Sequence, residues 1–275
     1  MRIDAHQHFW YYNATDYAWI DDSMKAIQRD FLPSDLEPIL QKHNFDGCVL
    51  VQVNQNEAEN DYFLKFAELY DFIKGVVGWI DLKADNLPER LEYYRQFAPL
   101  KGFRHIVQGE PIGFMRDEQF IKGVQQLAPH NYTYDVLIYP SQMKDAVHLI
   151  RQCPDNQFII DHIAKPYIKD KEIVRWANYM QKLSEFPHVM CKVSGMVTEA
   201  DWQNWNKEDF YIYLDIVFEC FGPDRIMYGS DWPVCLVAAQ YEQQLEIVES
   251  YFDKLSSTEK AKIFGENAAK FYHLA

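Results

Sequence analysis

Apolar residues recur along this chain in two rhythms. Short β-rich runs lie at residues 2–5, 47–53, 75–80, 102–107, 132–138, 157–163, 189–193 and 225–228. Between them, stretches such as DLEPILQKHN, NDYFLKFAELYD, DEQFIKGVQQLAPH and DFYIYLDIVFECFG repeat apolar residues at three- and four-residue steps, the period of an amphipathic helix. PSDLEPIL and NKEDF carry polar residues suited to capping a helix start. Eight alternations of strand and helix predict an α/β fold, one domain over residues 1–275, whose parallel strands close into a (β/α)8 TIM barrel. An open doubly wound sheet shares the alternation, but no GxGxxG turn follows an early strand.

The first strand-to-helix connection, about residues 9–33, is long and holds Trp10, Tyr11, Tyr12, Tyr17 and Trp19. In a barrel it lies on the catalytic face, where a long loop is usually functional. Its aromatic content suits a pocket wall and suits packing over the barrel mouth equally well.

Composition narrows the partners. The 275 residues are 48% hydrophobic and carry 41 acidic against 27 basic side chains, a formal charge of −14. A field of that sign repels phosphate backbones, so no nucleic-acid partner is expected. No apolar stretch approaches the roughly 20 residues of a membrane span, so no membrane partner is expected either. Cys48, Cys153, Cys191, Cys220 and Cys235 are scattered, with no CxxC pair. Reduced thiols and the lack of a basic-then-apolar leader point to a cytoplasmic protein. Nothing in the pattern specifies an oligomeric state.

Chemistry in a barrel gathers at the C-terminal strand ends, and polar residues fall there repeatedly. The first strand ends His6-Gln7-His8, and side chains two apart on a strand share a face, as a metal requires. The fourth run offers Arg104 and His105, the sixth Asp161 and His162, the seventh Lys192 and Ser194, and the eighth Asp231. Each has a plain structural reading: His105 or His162 as a satisfied core histidine, Asp161 as a loop brace, Lys192 as a rim residue reaching solvent, Asp231 as a turn residue. Their recurrence at one strand end after another favours a shared site, because buried polar groups are costly unless paired. His43, His130, His148, His188 and His273 fall outside this pattern, and no G-x-S-x-G elbow surrounds Ser194.

IDAHQHFW, GFRHIVQ, DHIAKP, CKVSG and YGSDWPV together resemble the amidohydrolase superfamily, and within it the sugar-lactone hydrolases that act on L-fuconolactone or L-rhamnonolactone. The resemblance runs nearly end to end and implies a (β/α)8 barrel of the metal-dependent hydrolase type. It implies His6, His8, His162 and Asp231 as ligands of one divalent metal ion, zinc by its donor set, with Asp231 also the general base. Binuclear members carry a bridging lysine or glutamate on strand four and a histidine on strand five. Here strand four offers Arg104-His105 and strand five ends VLIYP, so one ion is implied, and a metal-free reaction stays open.

The implied activity is hydrolysis of a carboxylic ester, a small-molecule sugar lactone opened to its sugar acid. Arg104, His105, His162 or Lys192 would stabilise the developing oxyanion, and Trp10, Gln52, Trp79, Arg104 and Trp232 would shape a polyol pocket. A metal-dependent decarboxylase of the same superfamily, with Arg104 clamping a carboxylate, is the alternative. A non-catalytic ligand-binding barrel is a third reading.

Overall fold

The computed structural model describes residues 1–275. Eight parallel strands form one sheet in sequential order: β1 Ile3–Gln7, β2 Gly47–Val51, β3 Ile73–Gly78, β4 Leu100–His105, β5 Thr133–Val136, β6 Phe158–Ile160, β7 Val189–Val193 and β8 Ile226–Tyr228. The intervening helices are α1 Pro33–Lys42, α2 Glu57–Leu69, α3 Leu87–Tyr94, α4 Glu118–Gln125, α5 Met143–Gln152, α6 Val174–Ser184, α7 Glu208–Phe221 and α8 Tyr241–Phe252, followed by the short α9 Ser257–Ala261 and α10 Asn267–Phe271. A parallel bridge pairs Gln7 with Trp232, just beyond β8, and the His8 N–H donates to the Trp232 carbonyl at 2.8 Å. That seam closes the (β/α)8 barrel. No helix is long and apolar enough to cross a membrane.

Each expected run contains a strand, with shifted ends. The third begins at Ile73 rather than Gly75, and the sixth keeps only Phe158–Ile160. From His162 to Lys165 the backbone is left-handed, with φ of 53, 48, 58 and 48°. Ile163 and Ala164 are buried there by packing rather than by strand pairing, which is why the apolar run reaches Ile163 although the strand ends at Ile160. Residues 9–33 are also more ordered than a bare loop: Trp10 bridges antiparallel to Phe31, and Asp22–Ile27 forms a helical turn.

Side-chain alternation sorts each strand into two layers. Ile3, Ala5, Val49, Val51, Val77, Ile159 and Met227 face the barrel axis, and Ala268, Phe271 and Tyr272 from the C-terminal segment around α10 close that apolar plug. The opposite faces join a cluster of 71 buried residues between sheet and helices. The polar side chains Arg104, Asp135, Asp161 and Lys192 lie above the plug on the same inward face and are 4%, 0%, 0% and 0% exposed.

Candidate active site

β1 breaks its alternation where it enters the site. Its register against β2 shifts between Asp4 and Gln7. Ala5 joins the inner cluster, yet the next residue, His6, also reaches inward, 3.2 Å from Arg104 Nη1 and 3.1 Å from Lys192 Nζ. Such an irregularity re-aims a side chain beside a site. Asp4 holds the seam in place: its Oδ1 accepts from the His6 N–H at 3.2 Å and from the Ser230 N–H at 2.9 Å. Burial pushes the Asp4 carboxyl up to about 6.

Asp231 is the point of convergence. Its Oδ1 lies 3.3 Å from His8 Nε2, 3.9 Å from His6 Nε2 and 3.8 Å from His162 Nε2. The other nitrogen of each ring is engaged: His8 Nδ1 donates to the Val51 carbonyl at 2.7 Å, His162 Nδ1 meets Ser194 Oγ at 2.9 Å, and His6 Nδ1 lies 3.3 Å from Asp161 Oδ1. With Nδ1 held in this way, Nε2 of His8 and of His162 faces Asp231, whereas His6 Nε2 also lies 3.2 Å from Arg104 Nη1. Burial pushes all three imidazoles down, His162 to about 3. Burial also pushes the Asp231 carboxyl up, but His162, His8 and Lys165 outweigh it and hold the group below the usual carboxylate range.

The donors of His6, His8 and Asp231 fit a divalent ion. Four ligands about 2.0–2.1 Å from zinc stand about 3.3 Å apart in a tetrahedron, close to the spacings around Asp231. Donor atoms of His6, His8 and Asp231 lie within 4.8 Å of one another. His6, Asp161 and His162 satisfy the same criterion, but Asp161 is already paired with Lys192 at 3.1 Å and Arg104 at 3.1 Å. That pairing makes Asp161 a brace and not a ligand.

Beneath the histidines runs a closed network of charges. Lys192 Nζ lies 2.5 Å from Asp135 Oδ2, and the Tyr272 hydroxyl donates to the same oxygen at 2.8 Å. Lys192 does not reach solvent from the rim; it is enclosed by Asp135, Asp161 and His6. Arg104 Nε donates to Gln52 Oε1 at 2.9 Å, its Nη1 to Asp161 and His6, and its Nη2 to the Gln52 carbonyl. Little of the guanidinium is left for a bidentate clamp on a carboxylate.

A cavity of about 370 Å³ opens above Asp231, lined among others by His8, Trp19, Arg104, Gln108, Tyr139, His162 and Lys165. The other expected pocket residues stand apart from it. Trp10 packs against Tyr17 and Phe31 and donates to the Arg29 carbonyl at 2.8 Å. Trp232 packs edge-on against Phe9 and Phe31. Gln52 props Arg104. His105 follows Arg104 on β4 and so points outward, bonding Glu110 at 2.9 Å and stacking on Phe114, with the Trp79 indole donating to it at 3.3 Å. Gln108, Tyr139 and Lys165 line the cavity without any sequence signal that singles them out, and Trp19 of the aromatic loop forms part of the wall.

A closed parallel barrel, with an HxH pair at the end of β1, a histidine after β6 and an aspartate after β8 gathered at one mouth, has the architecture of a metal-dependent hydrolase. A family model described as Amidohydrolase matches residues 3–274, and the chain belongs to the amidohydrolase family. It is 37% identical over 286 residues to a Burkholderia multivorans protein named L-fucono-1,5-lactonase, covering 100% of this chain and 96% of the relative. A Burkholderia ambifaria protein of the same name is 32% identical over 279 residues, with 100% and 96% covered. A crystal structure of a Burkholderia multivorans amidohydrolase with bound zinc matches with a TM-score of 0.96 at 38% identity, covering 100% of both chains.

Proposed function

We propose that this amidohydrolase opens a sugar lactone such as L-fuconolactone or L-rhamnonolactone to its sugar acid, with Asp231 as the general base toward water. The observation that carries the reading is the placement of the Asp231 carboxylate within 3.9 Å of three imidazoles, two of which line the cavity beside it. The names of the full-length relatives support the substrate class. About 370 Å³ lies at the small end of ligand pockets and suits one sugar ring rather than a chain of them.

Asp231 accepts a proton from water as that water attacks the lactone carbonyl carbon. The protonated acid then returns the proton to the ring oxygen as the ring C–O bond breaks. His6, His8 and His162 keep the carboxylate aimed at the cavity. Held by His6, His8, His162 and Asp231, a divalent ion would supply Lewis acidity at the carbonyl oxygen. The commitment of Arg104 to Gln52, Asp161 and His6 disfavours the decarboxylase alternative, which needs a free bidentate clamp. Five unpaired cysteines, four of them buried, support a reducing, cytoplasmic setting.

A pH-indicator screen of aldonolactones, run with and without chelator and corrected for spontaneous opening, tests the reading. Opening of at least one sugar lactone well above background is expected. Background rates across the panel would contradict it.

A further inference from the structure

Three cations stand at the barrel mouth, and they differ in what they have left to give. Lys192 is enclosed by Asp135, Asp161 and His6. Arg104 spends all but one of its N–H groups on Gln52, Asp161 and His6. Lys165 lines the cavity, and its one hydrogen-bond partner is Glu199 Oε1 at 3.0 Å. The Tyr139 ring centroid lies 5.6 Å from its Nζ. An ammonium carries three N–H donors, so Lys165 has donors to spare beside Asp231.

Its position is built. Lys165 ends the left-handed turn that begins at His162. The Lys165 N–H donates to the His162 carbonyl at 2.8 Å, and the Trp176 indole donates to the Ile163 carbonyl at 2.7 Å. One turn therefore delivers the His162 imidazole to Asp231 and the Lys165 ammonium to the cavity wall.

Building on the lactone-hydrolase reading, we propose that Lys165 is the chain's own electrophile, acting beside any ion held at Asp231 and donating to the lactone carbonyl oxygen as it gains charge and then to the carboxylate of the product. The water oxygen forms the new bond to the carbonyl carbon while its proton passes to Asp231. The carbonyl π pair moves onto the oxygen facing Lys165. When that pair re-forms the double bond, the ring C–O bond breaks and its electrons leave on the ring oxygen, which takes the proton from Asp231. Lactone and water become a hydroxy acid, and its carboxyl loses a proton at neutral pH to pair with the ammonium. A preorganised donor of this kind acts mainly on kcat.

The test uses the full chain, with the best lactone of the screen as substrate and with L-fuconate and neutral L-fucose as competitive inhibitors. Lys165→Met should lower kcat by about 10² to 10³ with a much smaller change in KM. Inhibition by L-fuconate should weaken by roughly tenfold or more, the worth of one charge-assisted hydrogen bond, while inhibition by L-fucose stays the same. Lys165→Arg should recover part of the loss. Because Lys165→Met strands the Glu199 carboxylate, the double variant Lys165→Met/Glu199→Gln keeps the comparison in a folded protein and should lose as much kcat as the single one. A folded double variant with kcat within about threefold of the parent, or equal weakening of both inhibitors, would overturn the assignment. A parent that opens no aldonolactone would instead remove the lactone-hydrolase reading, and the role of Lys165 with it.

Discussion

His8 Nε2 and Asp231 Oδ1 meet at 3.3 Å across the seam that closes the barrel. Both partners are held from behind. The Val51 carbonyl accepts a hydrogen bond from His8 Nδ1–H at 2.7 Å, and the Asp231 N–H donates to the His6 carbonyl at 2.8 Å. The imidazole thus offers a lone pair and the carboxylate a charge to the same point, as a metal ligand pair does.

Gently purified protein should therefore carry about one equivalent of a divalent ion such as zinc, read by elemental analysis. His8→Ala should lose it. Ser194→Ala, which removes only the partner of His162 Nδ1, should weaken metal affinity by roughly 10- to 100-fold. A metal content near zero, with full activity in strong chelator, would leave the imidazoles as groups that orient Asp231 and substrate.

Lys192 joins Asp135, Asp161 and His6 with no exposure to water. Lys192→Met breaks a buried charge cluster and should cost about 3–5 kcal/mol in urea unfolding. Adding Asp135→Asn removes one stranded carboxylate, so the double variant should be more stable than Lys192→Met alone. A single variant as stable as the parent would mean that the cluster is not charged as drawn.

Glu59 accepts from the Val53 and Asn54 N–H groups and from the Tyr62 hydroxyl, yet burial pushes its carboxyl up to about 7. The folded state then holds a proton that the unfolded chain releases near the ordinary value of about 4.3. This contribution is complete below the unfolded value and is lost as pH rises through about 7. Thermal melts from pH 4 to 8 should show the loss in the parent and less of it in Glu59→Gln. Parallel curves for the two proteins would contradict the assignment.

Gly195 has φ of +59°, and a Cβ there would lie 2.5 Å from His162 Nδ1. Gly195→Ala should displace the ring from Ser194, lowering kcat and the melting temperature together. Its φ disfavours a side chain independently of the contact, so a crystal structure of the variant with His162 unmoved would separate the two effects.

His6, His8, His162 and Asp231 were legible because each falls at the end of an apolar run, where a buried polar residue needs a reason. The braces were harder to see. Asp135 sits inside YTYDVLIYP and acquires its meaning only from Lys192, 57 positions later. Asp4 reads as one acid near the start of the chain until Ser230 folds onto it. Trp10, Trp79 and Trp232 look like pocket residues in the sequence because aromatic content does not reveal which way a ring points. Arg104 and His105 show the same ambiguity resolved by strand alternation, one inward and one outward. Lys165 is hidden by a left-handed turn of four residues, none of them glycine, whose first two the apolar pattern assigns to the strand.

Asp231→Asn is the most direct test of the central claim. Asp231 has φ of +58°, a conformation asparagine accepts readily, so the exchange keeps the backbone and removes the proton acceptor. Initial rates of lactone opening, with spontaneous hydrolysis subtracted, should fall by ~10² to 10⁴ in kcat while the fold is unchanged. A folded Asp231→Asn protein that opens the lactone as fast as the parent would show that another group takes the proton from water.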